Sequence, residues 1–368
     1  MNIIKQSFWE TLAQEDKPII LYGMGSGADK ILDFCAVKNI KIADMFASDE
    51  YVREHSFRGF KVKSLSQIKE IYKNNFCVLL SFATRIDSVI KKIYDLDANH
   101  EFYVPNFPVF GENNYFDYNY YLENQEKIAQ AYNLLADEES KKVYERAINF
   151  NITGKLEYLK KIESAKESAL DLLELSDNLN YIDLGAYDGD TIFELLKYNK
   201  NIKNIYAFEP DIKNFKKLEK NICENNLLNI CELYNIGAWS REDILYFNAQ
   251  ASRNSSFNVP QNQKNIKEVR VNNIDNILNS QLDGEILIKY DVEGAEFEAL
   301  EGSQEIIKKY SPKLIVSLYH KINDIFKLPI YIKSINSDYK FYLRKHKYVP
   351  CWDLNLYAIA ENQLTSDK

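Results

Sequence analysis

The sequence has no apolar run approaching the roughly 18 residues of a membrane-spanning helix. Its opening, MNIIKQSFWETLAQEDK, meets acidic residues before an apolar stretch can build, so neither a span nor a secretory signal is expected. A soluble, cytoplasmic protein is. Cysteine is scarce as well. Cys35, Cys77, Cys223, Cys231 and Cys351 are odd in number and far apart, which excludes the even framework of a secreted scaffold and the close Cys/His pairs of a zinc site. Reduced thiols are expected. There is no block of basic residues either. The formal net charge is -8 with both signs interspersed, so no positive footprint exists for a phosphate backbone, and nucleic acid is set aside as a partner. No Gly/Ser-rich or Pro-rich tract marks a flexible tether, and no repeat of solenoid period is found.

What is present is enough apolar material for two cores: 46% hydrophobic residues in a chain of 368. IILYG reads as a buried strand entering a glycine turn, followed by a helix from about Ala28 to Val37. The strands IKIADMF and FCVLLSF, with the helix SLSQIKEIY between them, continue the alternation that favours a parallel sheet. Residues 1–105 are therefore expected to form a small Rossmann-like lobe, and 106–178 an aromatic loop and packed helical connector.

Over 179–368 the alternation resumes through YIDLG, IYAFEP, ICELYNIG, EILIKYD and KLIVSLYH, with AEFEALEGSQEIIKKY as one helix. The last two strand candidates, around KFYLRKHKY and WDLNLYAIA, predict an antiparallel pair at the sheet edge. The fold class is thus α/β: a Rossmann-like domain with a mostly parallel sheet, preceded by a smaller Rossmann-like lobe.

YIDLGAYDGDT places Asp183, Gly185, Ala186, Asp188 and Gly189 at a strand end and in the turn that opens the next helix, where backbone must approach a ligand closely. Asp183 and Asp188 put carboxylates where a pyrophosphate would sit, whereas a cofactor carrying an amino group and a sulfonium tolerates them. S-adenosylmethionine fits that charge better than NAD. Glu209 ends the next strand at the spacing from which a carboxylate accepts both ribose hydroxyls. Asn235, Gly237 and Ala238 follow the third strand and face the adenine end by position. A purely structural turn, with Asp188 or Asp190 as helix cap, is the competing reading.

YDVEGAEFEAL sets Asp291 and Glu293 just past the fourth strand, with Glu296 in the first turn of a helix. Ligands of open α/β sheets gather at that edge. Negative charge at a helix start equally well offsets the helix dipole, so Glu293 and Glu296 carry both readings. His320 ends KLIVSLYH at the same edge and, with an ordinary imidazole pKa near 6.5, is a candidate base for an acceptor hydroxyl. A divalent cation held by some of Asp291, Glu293, Glu296 and His320 is an alternative means of activation. Arg253, Asn254, Ser255 and Ser256 offer hydrogen bonds suited to a polyhydroxyl or phosphorylated acceptor.

IKYDVEGAEFEALEG resembles the signature of the FkbM family of S-adenosylmethionine-dependent methyltransferases. YIDLGAYDGDT and YAFEPD are similar to that family's cofactor motifs, and SLYHKINDIFKLP and YKFYLRKH resemble a subset with an extra N-terminal lobe. The likeness runs over roughly Asn180 to Ala360. It implies O-methylation of sugars, glycans or glycosylated metabolites, cofactor contacts at Asp183, Gly185, Gly189 and Glu209, and acceptor-side roles for Asp291, Glu293 and His320. Tyr290 departs from the pattern, where a smaller or methionine-like residue is expected.

The N-terminal LYGMGSGADKI carries Gly23, Gly25 and Ala28 in a version of the dinucleotide spacing, with Asp44 and Asp49 downstream at ribose distance. A degenerate structural lobe is the competing reading. The rival functions are a nucleotide-sugar oxidoreductase or isomerase working through this lobe, although no Tyr-x-x-x-Lys pair follows its third strand, and a non-catalytic adenosylmethionine-binding protein. The many tyrosines also suit an assembly interface, homo-oligomeric included.

Overall fold

Four short strands in the first 105 residues pair in parallel: β1 (Ile19–Tyr22), β2 (Ile42–Phe46), β3 (Cys77–Leu80) and β4 (Glu101–Tyr103), in the order β2-β1-β3-β4. β1 and β3 are apolar and buried at every position, as strands covered on both faces must be. The crossover helices carry their own start signals. Ser64 and Gln67 form a reciprocal capping box ahead of helix Leu65–Tyr72. The computed structural model describes residues 1–48, 52, 56–108, 115–248, 266–278 and 282–361.

The second sheet has seven strands: β5 (Leu179–Leu184), β6 (Ile202–Phe208), β7 (Cys231–Tyr234), β10 (Glu285–Tyr290), β11 (Lys313–Ser317), β12 (Tyr339–Lys345) and β13 (Leu354–Ala360), ordered β12-β13-β11-β10-β5-β6-β7. An antiparallel hairpin, β8 (Asp243–Asn248) with β9 (Ile266–Asn272), stands beside it, β9 pairing with Gly237–Ala238. β13 runs antiparallel to both β11 and β12. The expected terminal pair forms, but its last strand lies inside the sheet and β12 takes the edge. Successive residues of β5 serve different cores: Ile182 and Leu184 join a cluster on one face, Leu179 and Tyr181 a cluster on the other.

The connector closes the exposed edge. Helix Glu138–Thr153 is capped by Asp137, whose carboxylate also binds Arg344 of β12 at 2.7 Å, and Ser140 Oγ accepts from Leu343 N at 2.8 Å. The edge strand's backbone is thereby engaged rather than open to another chain. One buried cluster runs from Ile20 and Val78 of the N-terminal sheet through Ile148 and Phe150 of the connector to Val316 and Phe341 of the second sheet. The reciprocal backbone bonds of Thr84 with Val349, 2.7 and 2.9 Å, add a polar seam.

Two expectations are corrected. The stretch expected as a single helix breaks into Glu296–Glu301 and Gln304–Tyr310 at Gly302, where the backbone passes so close to the Trp239 carbonyl that a Cβ would overlap it. The N-terminal alternation also runs one unit further than expected, through helix Asp87–Asn99 to β4.

Candidate active site

The chain leaves β5 through a turn with unusual backbone. Gly185, Tyr187 and Gly189 have φ of 89°, 50° and 92°, a region that favours glycine and is strained for tyrosine. Gly185 N and Ala186 N both donate to the Phe208 carbonyl at 2.9 Å, which fixes the turn against the end of β6. Ala186 is buried. Asp188 is half-buried, and its carbonyl accepts from Asn221 Nδ2 at 2.8 Å. Gly189 is the residue from which helix Asp190–Tyr198 starts.

Asp183 lies beneath this turn with no exposure; it accepts from the Thr191 hydroxyl at 2.5 Å and stands 3.6 Å from Lys289 Nζ. Its Oδ1 is buried with no hydrogen-bond partner among the described residues. Burial pushes its pKa up against the pull of Lys289. Glu209 holds the turn from the other side. Its Oε2 accepts from Tyr187 N at 3.0 Å and its Oε1 from Asp211 N at 2.7 Å. Burial raises this carboxyl to about 7, with the two backbone donors acting in the opposite sense. Asn235 is a clamp: its Nδ2 donates to the Glu209 and Pro210 carbonyls at 2.8 and 3.2 Å. Gly237 and Ala238 are buried and paired with Val271 and Asn272.

The neighbouring turn carries the second group. Asp291 N donates to the Leu184 carbonyl at 3.1 Å, and a Cβ on Gly185 would overlap the Asp291 carbonyl. Asp291 Oδ2 accepts from Lys289 Nζ at 3.1 Å and Oδ1 from the Tyr319 hydroxyl at 3.2 Å. Burial alone would raise Asp291, but the Lys289 ammonium and His320 outweigh it and hold the carboxyl at about 2. Glu293 has φ 55° and precedes Gly294 at φ 93°, so the loop turns sharply through two left-handed residues.

Glu296 is buried, and its Oε1 gathers three donors: Val292 N at 2.9 Å, Gly294 N at 3.3 Å and His320 Nδ1 at 2.8 Å. The other imidazole nitrogen, Nε2, stands 3.6 Å from Asp291 Oδ1 and 3.7 Å from Glu293 Oε2. Burial would lower the His320 pKa, yet Glu296, then Asp291 and Glu293, raise it to about 10. The imidazole is therefore charged at neutral pH rather than largely neutral, a correction to the ordinary value taken from sequence. It also lies in the loop beyond β11 rather than at the strand's last residue.

The site draws on residues the sequence reading passed over. Lys289 bridges the two aspartates, and its place two residues before Asp291 on the same face of β10 was the available signal. Tyr319 was hidden as one aromatic among 26 tyrosines. Asp324 accepts from Lys321 N at 2.7 Å and is raised to about 7, by burial first and then by Glu296. Arg253, Asn254, Ser255 and Ser256 lie outside the described residues, as does Asp49.

The N-terminal glycine turn is differently furnished. A Cβ on Gly23 would lie 2.5 Å from the Phe82 ring and 2.9 Å from Ser81 Oγ, and one on Gly27 would overlap the Ser81 carbonyl. Gly25 has open space around it, and Ala28 is buried. Asp44 binds Lys63 at 2.7 Å. Protein groups thus already occupy two of the glycines and the ribose-position carboxylate. Between the connector and the second sheet's domain runs a crevice lined by Asn106, Phe116, Asn151, Tyr319, Lys321 and Ile325. It shares Tyr319 with the carboxylate cluster.

Residues 183–349 match the family model of the methyltransferase FkbM domain. Among solved structures the chain is similar to methyltransferase FkbM from Methylobacillus flagellatus KT, with 22% identity, TM-score 0.72, and coverage of 95% of this chain and 92% of that one. An rRNA methylase from Streptococcus thermophilus shares 13% identity at TM-score 0.36 over 54% of this chain and 98% of its own. A Streptococcus mutans protein in complex with SAH shares 12% at TM-score 0.35 over 54% and 99%. No curated protein matches the chain. No helix among the described residues is long and apolar enough to cross a membrane.

Proposed function

We propose, starting from a chain whose residues 183–349 belong to the FkbM methyltransferase family, that this methyltransferase uses S-adenosylmethionine to methylate a hydroxyl of a small polar acceptor, a sugar or glycosylated metabolite. The observation that carries the reading is the backbone contact between Gly185 and Asp291, which sets the β5 turn directly against the carboxylate-histidine cluster. A donor held by one would lie beside an acceptor held by the other.

S-adenosylmethionine, when bound, supplies a methyl group on a cationic sulfur. The turn suits that group in its polar lining: Asp183 Oδ1 is a buried oxygen still without a hydrogen-bond donor among the described residues, 3.6 Å from Lys289 Nζ. Glu209, with each oxygen already accepting one backbone N–H, retains lone pairs for two ribose hydroxyls. Asn235 holds the Glu209 backbone in place.

On the acceptor side, Asp291 stays ionised, so it accepts the hydrogen bond of an incoming hydroxyl and orients a lone pair toward the methyl carbon. Tyr319 and Lys289 fix the two Asp291 oxygens. His320, already charged, would donate to the acceptor oxygen rather than take its proton; as the oxygen–methyl bond formed, the methyl–sulfur bond would break with its electron pair going to sulfur, which leaves as a neutral thioether, and the hydroxyl proton would pass by way of the neighbouring carboxylates to solvent. The crevice beside Tyr319 gives the connector one wall of the acceptor's approach.

The test is transfer of an isotopically labelled methyl group from S-adenosylmethionine to a panel of monosaccharides, glycans and glycosides, with the product identified by mass spectrometry and NMR. A methyl ether whose formation falls at least a hundredfold in Asp291→Asn supports the reading. Methylation at nitrogen or carbon, or undiminished turnover in that variant, overturns it.

A further inference from the structure

We propose that His320 Nε2, Asp291 Oδ1 and Glu293 Oε2 hold one divalent first-row cation, with Glu296 behind the imidazole as its orienting carboxylate. The inference rests on the reading above and deepens it by naming what activates the acceptor hydroxyl at the same edge: the ion takes the place of the Nε2 proton, so that in the loaded site His320 ligates and the ion, not the imidazolium, meets the acceptor oxygen.

The geometry points there in three ways. First, the Glu296 to His320 hydrogen bond of 2.8 Å is made at Nδ1, which turns Nε2 toward the two remaining carboxylates. Histidines that ligate metals ordinarily donate their other ring nitrogen to a carboxylate in this way. Second, Nε2 stands 3.6 Å from Asp291 Oδ1 and 3.7 Å from Glu293 Oε2. Two ligands bound about 2.1 Å from a tetrahedral ion stand about 3.4 Å apart, so the imidazole nitrogen already stands near ligand separation from each carboxylate, and the exposed Glu293 side chain swings in to complete the set. Third, Glu296 keeps a second oxygen, Oε2, buried and without a hydrogen-bond partner among the described residues, and Asp291, Glu296 and His320 each place one donor atom within 4.8 Å of the others.

Charge argues the same way. Asp291, Glu293, Glu296 and Asp324 gather around His320, and the fixed cations facing the cluster are Lys289 on Asp291 and Lys321 toward Glu298. Negative groups this close are stabilised by a positive ion between them. The nitrogen and two oxygens suit a borderline ion such as Zn2+, Co2+ or Mn2+, and three protein ligands leave a position open. An acceptor hydroxyl bound there would have its pKa lowered.

The experiment is titration of Co2+ into the full chain after chelator treatment, followed by the visible absorption that tetrahedral coordination intensifies. One equivalent is expected to saturate the signal. Glu293→Gln, at a side chain 67% exposed, should weaken binding at least tenfold with an unchanged circular dichroism spectrum, and His320→Gln should abolish it. A spectrum no different from aqueous Co2+, or binding undiminished in both variants, overturns the proposal. Adenosylmethionine titration of the same preparation reads the proposed function separately: cofactor binding without a Co2+ site overturns the metal inference alone, and a Co2+ site without cofactor binding overturns methyl transfer alone.

Discussion

Gly185 and Asp291 meet through bare backbone, so closely that a single added Cβ on Gly185 would overlap the Asp291 carbonyl. Gly185 also has φ 89°, which side chains rarely adopt. Gly185→Ala is therefore expected to cost roughly 2 kcal/mol or more in stability and to weaken adenosylmethionine binding at least tenfold. Thermal melts and calorimetry check both. A variant as stable as the wild type that binds equally well would mean the two turns can part without consequence.

Glu209 links the site to pH. Its pKa is raised from 4.5 to about 7 by burial, so ionising it costs the folded state up to roughly 3 kcal/mol. The associated stability is fully present below pH 4.5 and is lost as pH rises through about 7. Cofactor affinity has the opposite dependence if ribose hydroxyls donate to the carboxylate: it should rise over that same interval. Glu209→Gln should flatten the affinity profile between pH 5 and 8 and lessen the stability loss relative to wild type, as read by calorimetry and by melts of the unliganded protein. Parallel profiles in the two proteins would remove Glu209 from the cofactor site.

Glu296 is buried and holds His320 through Nδ1 at 2.8 Å. Glu296→Ala leaves a buried imidazolium without its nearest carboxylate and two loop N–H groups without an acceptor, and should destabilise by roughly 3 kcal/mol. Glu296→Gln keeps an acceptor oxygen and should recover much of that loss. In the glutamine variant kcat should fall more than KM changes, since the acceptor contacts remain while the imidazole is held less firmly.

The connector is part of the catalytic fold by its contacts. Asp137 caps helix Glu138–Thr153 through Ser140 N at 2.7 Å and binds the buried Arg344 of the edge strand. Asp137→Ala removes both at once, and chemical denaturation should show a loss of roughly 3 kcal/mol in a single transition that also takes the second sheet. Loss confined to an early, separate transition would show the connector to be independent.

How much of this was legible beforehand follows the range of the interactions. β5, β6 and β10 are mainly apolar strands with Asp183 near the end of β5 and Glu209 and Asp291 just past β6 and β10, and the strand–helix alternation and glycine turns sufficed to find them. The break at Gly302 was not legible, because the backbone there is packed against the carbonyl of Trp239, 63 residues earlier by the numbering of the chain. Nor was the charge of His320, which depends on three carboxylates brought to it by a different strand and helix. Tyr290 departs from the expected residue type for a local reason: it is fully buried, and its hydroxyl pairs with Ser303 at 2.7 Å beside the helix break, away from the Asp291 carboxylate. In the N-terminal lobe the glycine spacing was legible, but Phe82 and Ser81, which fill the space around it, belong to the far end of another strand.

Calorimetric titration with S-adenosylmethionine, of the wild type and of Glu209→Ala, tests the central claim most directly. Binding of one equivalent by the wild type, weakened at least tenfold in the variant while both proteins give the same circular dichroism spectrum, is the expected result. No binding by the wild type, or equal binding by both, would contradict a cofactor site built on the β5 turn and Glu209.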